Sequence, residues 1–330
     1  MLGRFLITGG TGFVGRALVS ELVANGSQVK ALVRKVSTYL PVEIEQVMVD
    51  LGEIEDEGAI RDAFGGVDVV VHAAARVHMM QDRSADPLAE FRKLNRDATL
   101  ALASLAADAG VKRFIFLSSV KVNGEETFPG GRPAVFKPDD AFMPTDPYGL
   151  SKYEAEQGLL ALAKETGMEV VIIRPPLVYG PGVKANFASM INWLRKGLPL
   201  PLGAIHNKRS FVALDSLVSF IALCADRSQS PKAANQVFLI SDGEDISTTQ
   251  LLRRVADALG KEPRLLPVPT GLMSFAARLI GKGDVANRLF SSLQVDSSKA
   301  RDLLGWQPVI PMAEQLHKTV AADLKNETTL

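Results

Sequence analysis

One stretch near the N-terminus limits the possible folds more than any other: residues 4–23 read RFLITGGTGFVGRALVSELV. An apolar run of strand length ends at three glycines, Gly9, Gly12 and Gly15, and the chain then adopts helical apolar spacing that closes at Gly26. A strand with no polar face must be covered on both sides. Glycines three apart allow a turn tight enough to send the chain straight into a helix lying on that strand.

The same alternation continues. QVKALV (28–33), IEQVMVD (44–50), the end of GVDVVVHAAA (66–75), KRFIFLSS (112–119) and EVVIIRP (169–175) read as strands. Residues 86–110 read as one long helix, and DPYGLSKYEAEQGLLALAKETG (146–167) as another. Such an order predicts an α/β fold, a doubly wound parallel (Rossmann) sheet over residues 1–175. Beyond Pro175-Pro176 the texture changes. LVYGPGVKANF (177–187) and GLPLPLGAIHNKR (197–209) read as loops lining a cleft, and the chain is expected back in the sheet near 207–242. Residues 176–330 are therefore expected to form a smaller, mostly helical substrate lobe, interleaved with the sheet.

Within such a sheet, ligands gather at the carboxyl ends of the strands. The turn TGGTGFVG lets the backbone approach a pyrophosphate seated on the following helix's N-terminus, so it is read as a dinucleotide site, although close helix–strand packing alone would also require glycine. The second strand tests which dinucleotide. An acid at position 33 would hold both ribose hydroxyls and repel a 2′-phosphate, but Val33 stands there, followed by Arg34 and Lys35. Two cations in that place predict an NAD(P) site that favours NADP(H) over NAD. Asp50, ending the third strand, is a partner for the adenine amino group, with Leu51 packed beside it.

Tyr148 and Lys152 lie four apart at the start of a helix and share a face. A nearby ammonium is expected to favour the phenolate of Tyr148, fitting it to exchange a proton while a nicotinamide exchanges hydride. Ser119, closing the strand KRFIFLSS, is a donor to a developing oxyanion, and Ser118 its support. Glycine turn, strand-end serines and the Tyr/Lys helix occur in the order that chemistry needs.

In these blocks the chain resembles the extended short-chain dehydrogenases/reductases of the NAD-dependent epimerase/dehydratase family, and among them UDP-glucose 4-epimerase-like proteins. TGGTGFVG, VVVHAAA, FLSSVKVNG, PYGLSK, IRPPLVYGPG and LGWQP stand in the family's order over nearly the whole length. The resemblance implies hydride transfer at carbon 4 of a UDP-hexose, as a 4-epimerase or as a UDP-4-keto-sugar reductase, the two being left open. It implies Ser119, Tyr148 and Lys152 as the catalytic triad. Gly9, Gly12, Phe13, Val14, Gly15, Asp50, Leu51, Ala73, Ala74 and Pro175 would surround the cofactor, joined by Tyr148 and Lys152. Asn186, Phe187, Arg209 and Arg288 would meet the UDP-sugar, and a homodimer through surface helices would follow. The chain departs from the family at Val33 and at Asn123-Gly124, where Tyr-Gly is usual.

Of 330 residues, 37 are Lys or Arg and 37 Asp or Glu, so no nucleic-acid or membrane partner is expected. The single Cys224 sits in an apolar helical pattern and reads as core packing, consistent with a reducing cytoplasm. A strand begins almost at once, which predicts no signal peptide. Four scattered histidines make no metal site. His72 reads as a packed, hydrogen-bonded residue, Asn95 as bonding backbone near the active-site strand, Trp306 as packing the C-terminal lobe, and 78–80 as a mobile loop over the cleft. The rival class is a non-catalytic, NADP-sensing binding module of the same fold.

Overall fold

Uniformly apolar strands form the centre of the molecule, because only a sheet covered on both faces removes all their side chains from water. The computed structural model describes residues 3–53, 57–77, 86–128, 134–140, 144–279, 281 and 283–328. Seven strands lie parallel in one sheet: β1 (Arg4–Thr8), β2 (Gln28–Val33), β3 (Glu45–Met48), β4 (Val69–His72), β5 (Arg113–Leu117), β6 (Glu169–Arg174) and, at the far edge, β9 (Gln236–Leu239). Their spatial order is β3-β2-β1-β4-β5-β6-β9. The chain winds outward both ways from β1 and β4, whose register pairs Phe5 with Val69 and Thr8 with His72. That reversal opens a crevice at the carboxyl edge between them.

Two cores follow from the pleat. Ile7, Val71, Ile115 and Ile173 point to one face, under α1 (Phe13–Ala24) and α7 (Leu214–Ala225). Leu6, Val70, Phe114 and Ile172 point to the other, under α4 (Ala98–Asp108) and α5 (Pro147–Thr166). A short α2 (Glu57–Ala63) joins the second core through Ile60. The helix expected over 86–110 is present with an interruption: α3 (Pro87–Arg92) and α4 are joined by a π-turn at Lys93–Asp97. Asp86 caps its start, accepting from the Ala89 amide at 3.0 Å, and Gly110 ends it at φ +79°. The end at Gly110 was legible in the sequence, whereas the π-turn was not.

The lobe differs from its expected form in three respects. It contains a sheet, β10 (Asp245–Ile246), β8 (Arg209–Ala213) and β7 (Leu177–Tyr179), in that order. So the 207–242 segment sends β9 and α7 to the large sheet but β8 to the small one. Part of the expected cleft loops is ordered as β7 and α6 (Ala185–Arg195). Around this sheet α6, α8 (Thr248–Ala258) and α12 (Met312–Thr328) bury Ile191, Leu252 and Leu316. α8 starts with a reciprocal cap, in which Ser247 and Gln250 satisfy each other's backbone amides. Finally α9 (Thr270–Leu279), α10 (Gly283–Phe290) and α11 (Ser298–Leu304) complete the chain. Trp306 packs on Phe220 of α7, ring centres 5.0 Å apart, so it belongs to the large sheet's core rather than to the lobe. Cys224 is buried there too, as its apolar setting foretold.

Candidate active site

The glycine turn is shaped by contact as well as by conformation. A Cβ on Gly9 would lie 2.7 Å from the Ala73 carbonyl oxygen, and one on Gly15 would lie 2.1 Å from that of Gly9. Gly9 also has φ +68°. Only hydrogen at these positions lets α1 start against β1 while the turn touches the end of β4. The N-terminus of α1 carries no side-chain cap, with Gly12 at the N-cap position and Phe13 and Val14 in the first turn. Uncapped amides there fit a phosphate, so close packing of this turn leaves its helix start open to a cofactor's phosphates.

Beyond the turn, Val33 is buried while Arg34 and Lys35 are exposed where β2 ends. The Val49 amide donates to the Val33 carbonyl at 2.9 Å, which brings Asp50 to the same edge. There the Asp50 side chain accepts from the Gly52 amide at 2.9 Å, and Leu51 is buried. Ala73 and Ala74 are half-buried after β4, and Pro175 is buried after β6, its carbonyl accepting from the Val120 amide at 3.0 Å. These residues lie along one edge of the sheet, as expected.

His72 shows why the β4 end is rigid. Its Nδ1 is 2.7 Å from Thr8 Oγ1 and its Nε2 is 3.0 Å from Thr99 Oγ1. Thr99 spends its own hydroxyl proton on the Asn95 carbonyl at 2.9 Å. The imidazole proton therefore sits on Nε2, and Nδ1 accepts from Thr8. Burial, aided by the charge of Lys152, pushes its pKa down to about 3, so the ring is neutral. Asn95, inside the π-turn, accepts from the Arg76 amide at 2.8 Å and donates to the Arg76 carbonyl at 3.0 Å and to Ser151 at 3.1 Å. Both residues are the satisfied structural groups that the sequence led us to expect. The segment 78–80 lies outside the described residues.

The side chains expected to react converge at the end of β5. Asp146 caps α5 by accepting from the Gly149 amide at 3.2 Å. A Cβ at Gly149 would meet the Lys121 carbonyl at 2.9 Å. That glycine, not singled out from the sequence, lets the helix start press on the turn following Ser119. Tyr148 then lies beside Ser119, whose hydroxyl acts to lower the phenol's pKa. One helical turn on, Lys152 is buried and donates to the Leu117 carbonyl at 3.0 Å, its ammonium 4.3 Å from the Phe116 ring centre.

The electrostatics correct one expectation. Burial is the largest influence on Tyr148 and pushes its pKa up to about 12, against the lowering effect of Ser119. Burial likewise pushes Lys152 down to about 7, against the raising effect of Glu156. Burial shifts both groups towards their neutral forms, so an adjacent ammonium does not by itself turn the phenol into a phenolate.

In the lobe the two arginines expected to bind phosphate lie side by side. Arg209 Nη1 donates to the Arg288 carbonyl at 2.9 Å and to that of Ser291 at 3.0 Å, while the Arg288 side chain is exposed on α10. Asn186 lies in the first turn of α6, its side chain outside the described residues. Phe187 packs in the lobe core, stacked on Tyr179 at 5.9 Å. Among the described residues no cluster of His, Cys, Asp or Glu fits a metal, and no helix is long and apolar enough to cross a membrane.

A doubly wound sheet with a glycine turn and a Ser/Tyr/Lys edge defines the class, a nicotinamide-dinucleotide enzyme fold. Residues 5–240 match the NAD dependent epimerase/dehydratase family, and the chain belongs to it. It is 47% identical over 322 residues, 97% of this chain and 95% of the other, to a Vibrio cholerae protein named UDP-glucose 4-epimerase. Two solved structures share the fold. One is the UDP-glucose 4-epimerase of Thermotoga maritima with UDP-glucose (24% identity, TM-score 0.75, covering 98% of this chain and 99% of that one). The other is the UDP-glucuronic acid 4-epimerase of Bacillus cereus with NAD (19%, TM-score 0.77, 98% and 99%).

Proposed function

We propose that this chain is a UDP-hexose 4-epimerase that uses a nicotinamide dinucleotide. The observation that carries the proposal is the meeting of Ser119, Tyr148 and Lys152 at the carboxyl edge of β5, beside the glycine turn. The Vibrio cholerae relative, similar from end to end, supports the substrate class. A nicotinamide cofactor, when bound, supplies hydride exchange. Tyr148 takes the proton of the sugar hydroxyl as the alcohol is oxidised and returns it to the carbonyl oxygen as the ketone is reduced, so each cycle starts from its phenolate, the form that burial disfavours. Ser119 steadies the charge on that oxygen and on the phenol. Lys152, as an ammonium, offsets the phenolate while Tyr148 is deprotonated. The uncapped α1 start and the Gly9–Ala73 contact fit the pyrophosphate, and Arg209 and Arg288 fit the phosphates of a UDP-sugar.

A second reading, a UDP-4-keto-sugar reductase working with NADP(H), is favoured by Arg34 and Lys35. Among the described residues neither has a carboxylate partner, and both stand where a 2′-phosphate would lie. On either reading the enzyme is expected to be cytoplasmic and a homodimer paired through surface helices, α5 among them.

One experiment separates these readings. The protein is incubated with UDP-glucose without reductant, and the sugar is followed by proton NMR. Appearance of the galacto epimer is the expected result. Stoichiometric NADPH oxidation by a UDP-4-keto-sugar, with no epimer formed, would replace it with the reductase. Cofactor binding with no turnover of either substrate would leave the non-catalytic sensor.

A further inference from the structure

Glu156 has no part in the chemistry described so far, yet it is fully buried one helical turn beyond Lys152. It is held from two strands. Ser118, the residue before Ser119, donates to Glu156 Oε1 at 2.5 Å. Arg174, at the end of β6, donates through Nε at 3.0 and 3.1 Å and through Nη2 at 2.5 Å. The other guanidinium nitrogen donates to Asn123 Oδ1 at 3.0 Å and to the Pro138 carbonyl at 3.1 Å. One carboxylate thus ties the serine strand, the Tyr148–Lys152 helix and the segment following Ser119 into a single buried cluster.

A buried ion pair is a weak device for stability, since desolvation offsets its attraction. Its position suits another task. Residues four apart on a helix share a face, so Glu156 stands beside Lys152. Among the described residues, Lys152 meets from β5 the Leu117 carbonyl and the Phe116 ring, and from β4 its charge acts on His72, which is neutral. On its own helix lie Tyr148, neutral in this setting, and Glu156. Arg174 stands behind Glu156, on β6.

We propose that Glu156, clamped by Arg174 and Ser118, is a positioning residue: it supplies the buried negative charge that keeps Lys152 an ammonium and locks Ser119 in register with Tyr148. Its catalytic consequence rests on the function proposed above; its effect on Lys152 does not. Burial alone drives Lys152 towards its neutral form, and Glu156 acts in the opposite sense.

The test therefore reads Lys152 directly. Lysine-labelled protein is titrated by NMR, the Lys152 signal being assigned by its loss in Lys152→Met, and the pH profile of turnover is recorded alongside. Lys152 is expected to titrate near pH 7 in the parent protein. Glu156→Gln, which keeps the shape but not the charge, should move that titration by about one pH unit or more towards acid, with the alkaline limb of turnover following it. Arg174→Met removes the opposing cation and should move it the other way. If Glu156→Gln does not fold, Glu156→Gln/Arg174→Met, which strands no lone buried charge, should show a smaller acid shift, since Glu156 stands nearer to Lys152 than Arg174 does. An unmoved Lys152 titration, or acid shifts in both single variants, would overturn the proposal. Absence of turnover in the parent protein would instead fault the proposed function and leave the NMR test intact.

Discussion

The two halves of the chain solve opposite problems. Around β1, β4, β5 and α5, polar groups are buried and saturated: His72 uses both ring nitrogens, Asn95 both ends of its amide, and Glu156 both oxygens. In the lobe's outer part, α9 has no buried residue, and Leu272, Phe275 and Leu279 are exposed. Saturated buried networks admit a single arrangement, because each misplaced member leaves another unpaired. The half that must hold a phenol, a hydroxyl and an amine in fixed relation is built that way. The half expected to receive a sugar is joined more loosely, with Arg209 gripping backbone carbonyls at the end of α10.

This contrast can be broken or sharpened by substitution, with effects that should shrink outward from the glycine turn. The largest should come from Gly15→Ala, whose new methyl would lie 2.1 Å from the Gly9 carbonyl oxygen. Urea unfolding should show a loss of at least about 3 kcal/mol, and a stable, cofactor-binding variant would mean that the turn is not close-packed. Next comes Thr99→Val, which strands the Nε2–H of buried His72 and should cost about 2 kcal/mol by the same measurement. In the lobe, Gly197→Ala meets nothing within 4 Å and is strained only by φ +65°, so about 1 kcal/mol is expected. Smallest is Phe275→Ser on α9, 62% exposed, which should stay within about 0.5 kcal/mol. A large loss at Phe275 would show that this face is packed against something in solution.

The first half was more legible in the sequence for the same reason. Apolar strands, spaced glycines and the order of Ser119, Tyr148 and Lys152 are local signals, and the structure brings them together as expected. Glu156 and Arg174 lie 18 residues apart on different elements, and each alone reads as a solvated charge. Gly149 matters through its contact with the Lys121 carbonyl, which no spacing reveals. The direction in which Tyr148 shifts was misread because sequence shows the neighbouring amine but not the depth of burial. In the lobe, β7 is three residues long and β10 two, too short to leave an alternating pattern.

The most direct measurement pairs turnover with binding in Tyr148→Phe. Deleting that hydroxyl should lower kcat for interconversion of UDP-glucose and its galacto epimer by about 10²- to 10⁴-fold. Calorimetry should find the affinity for the dinucleotide little changed. Turnover close to that of the parent protein would contradict proton transfer by this phenol.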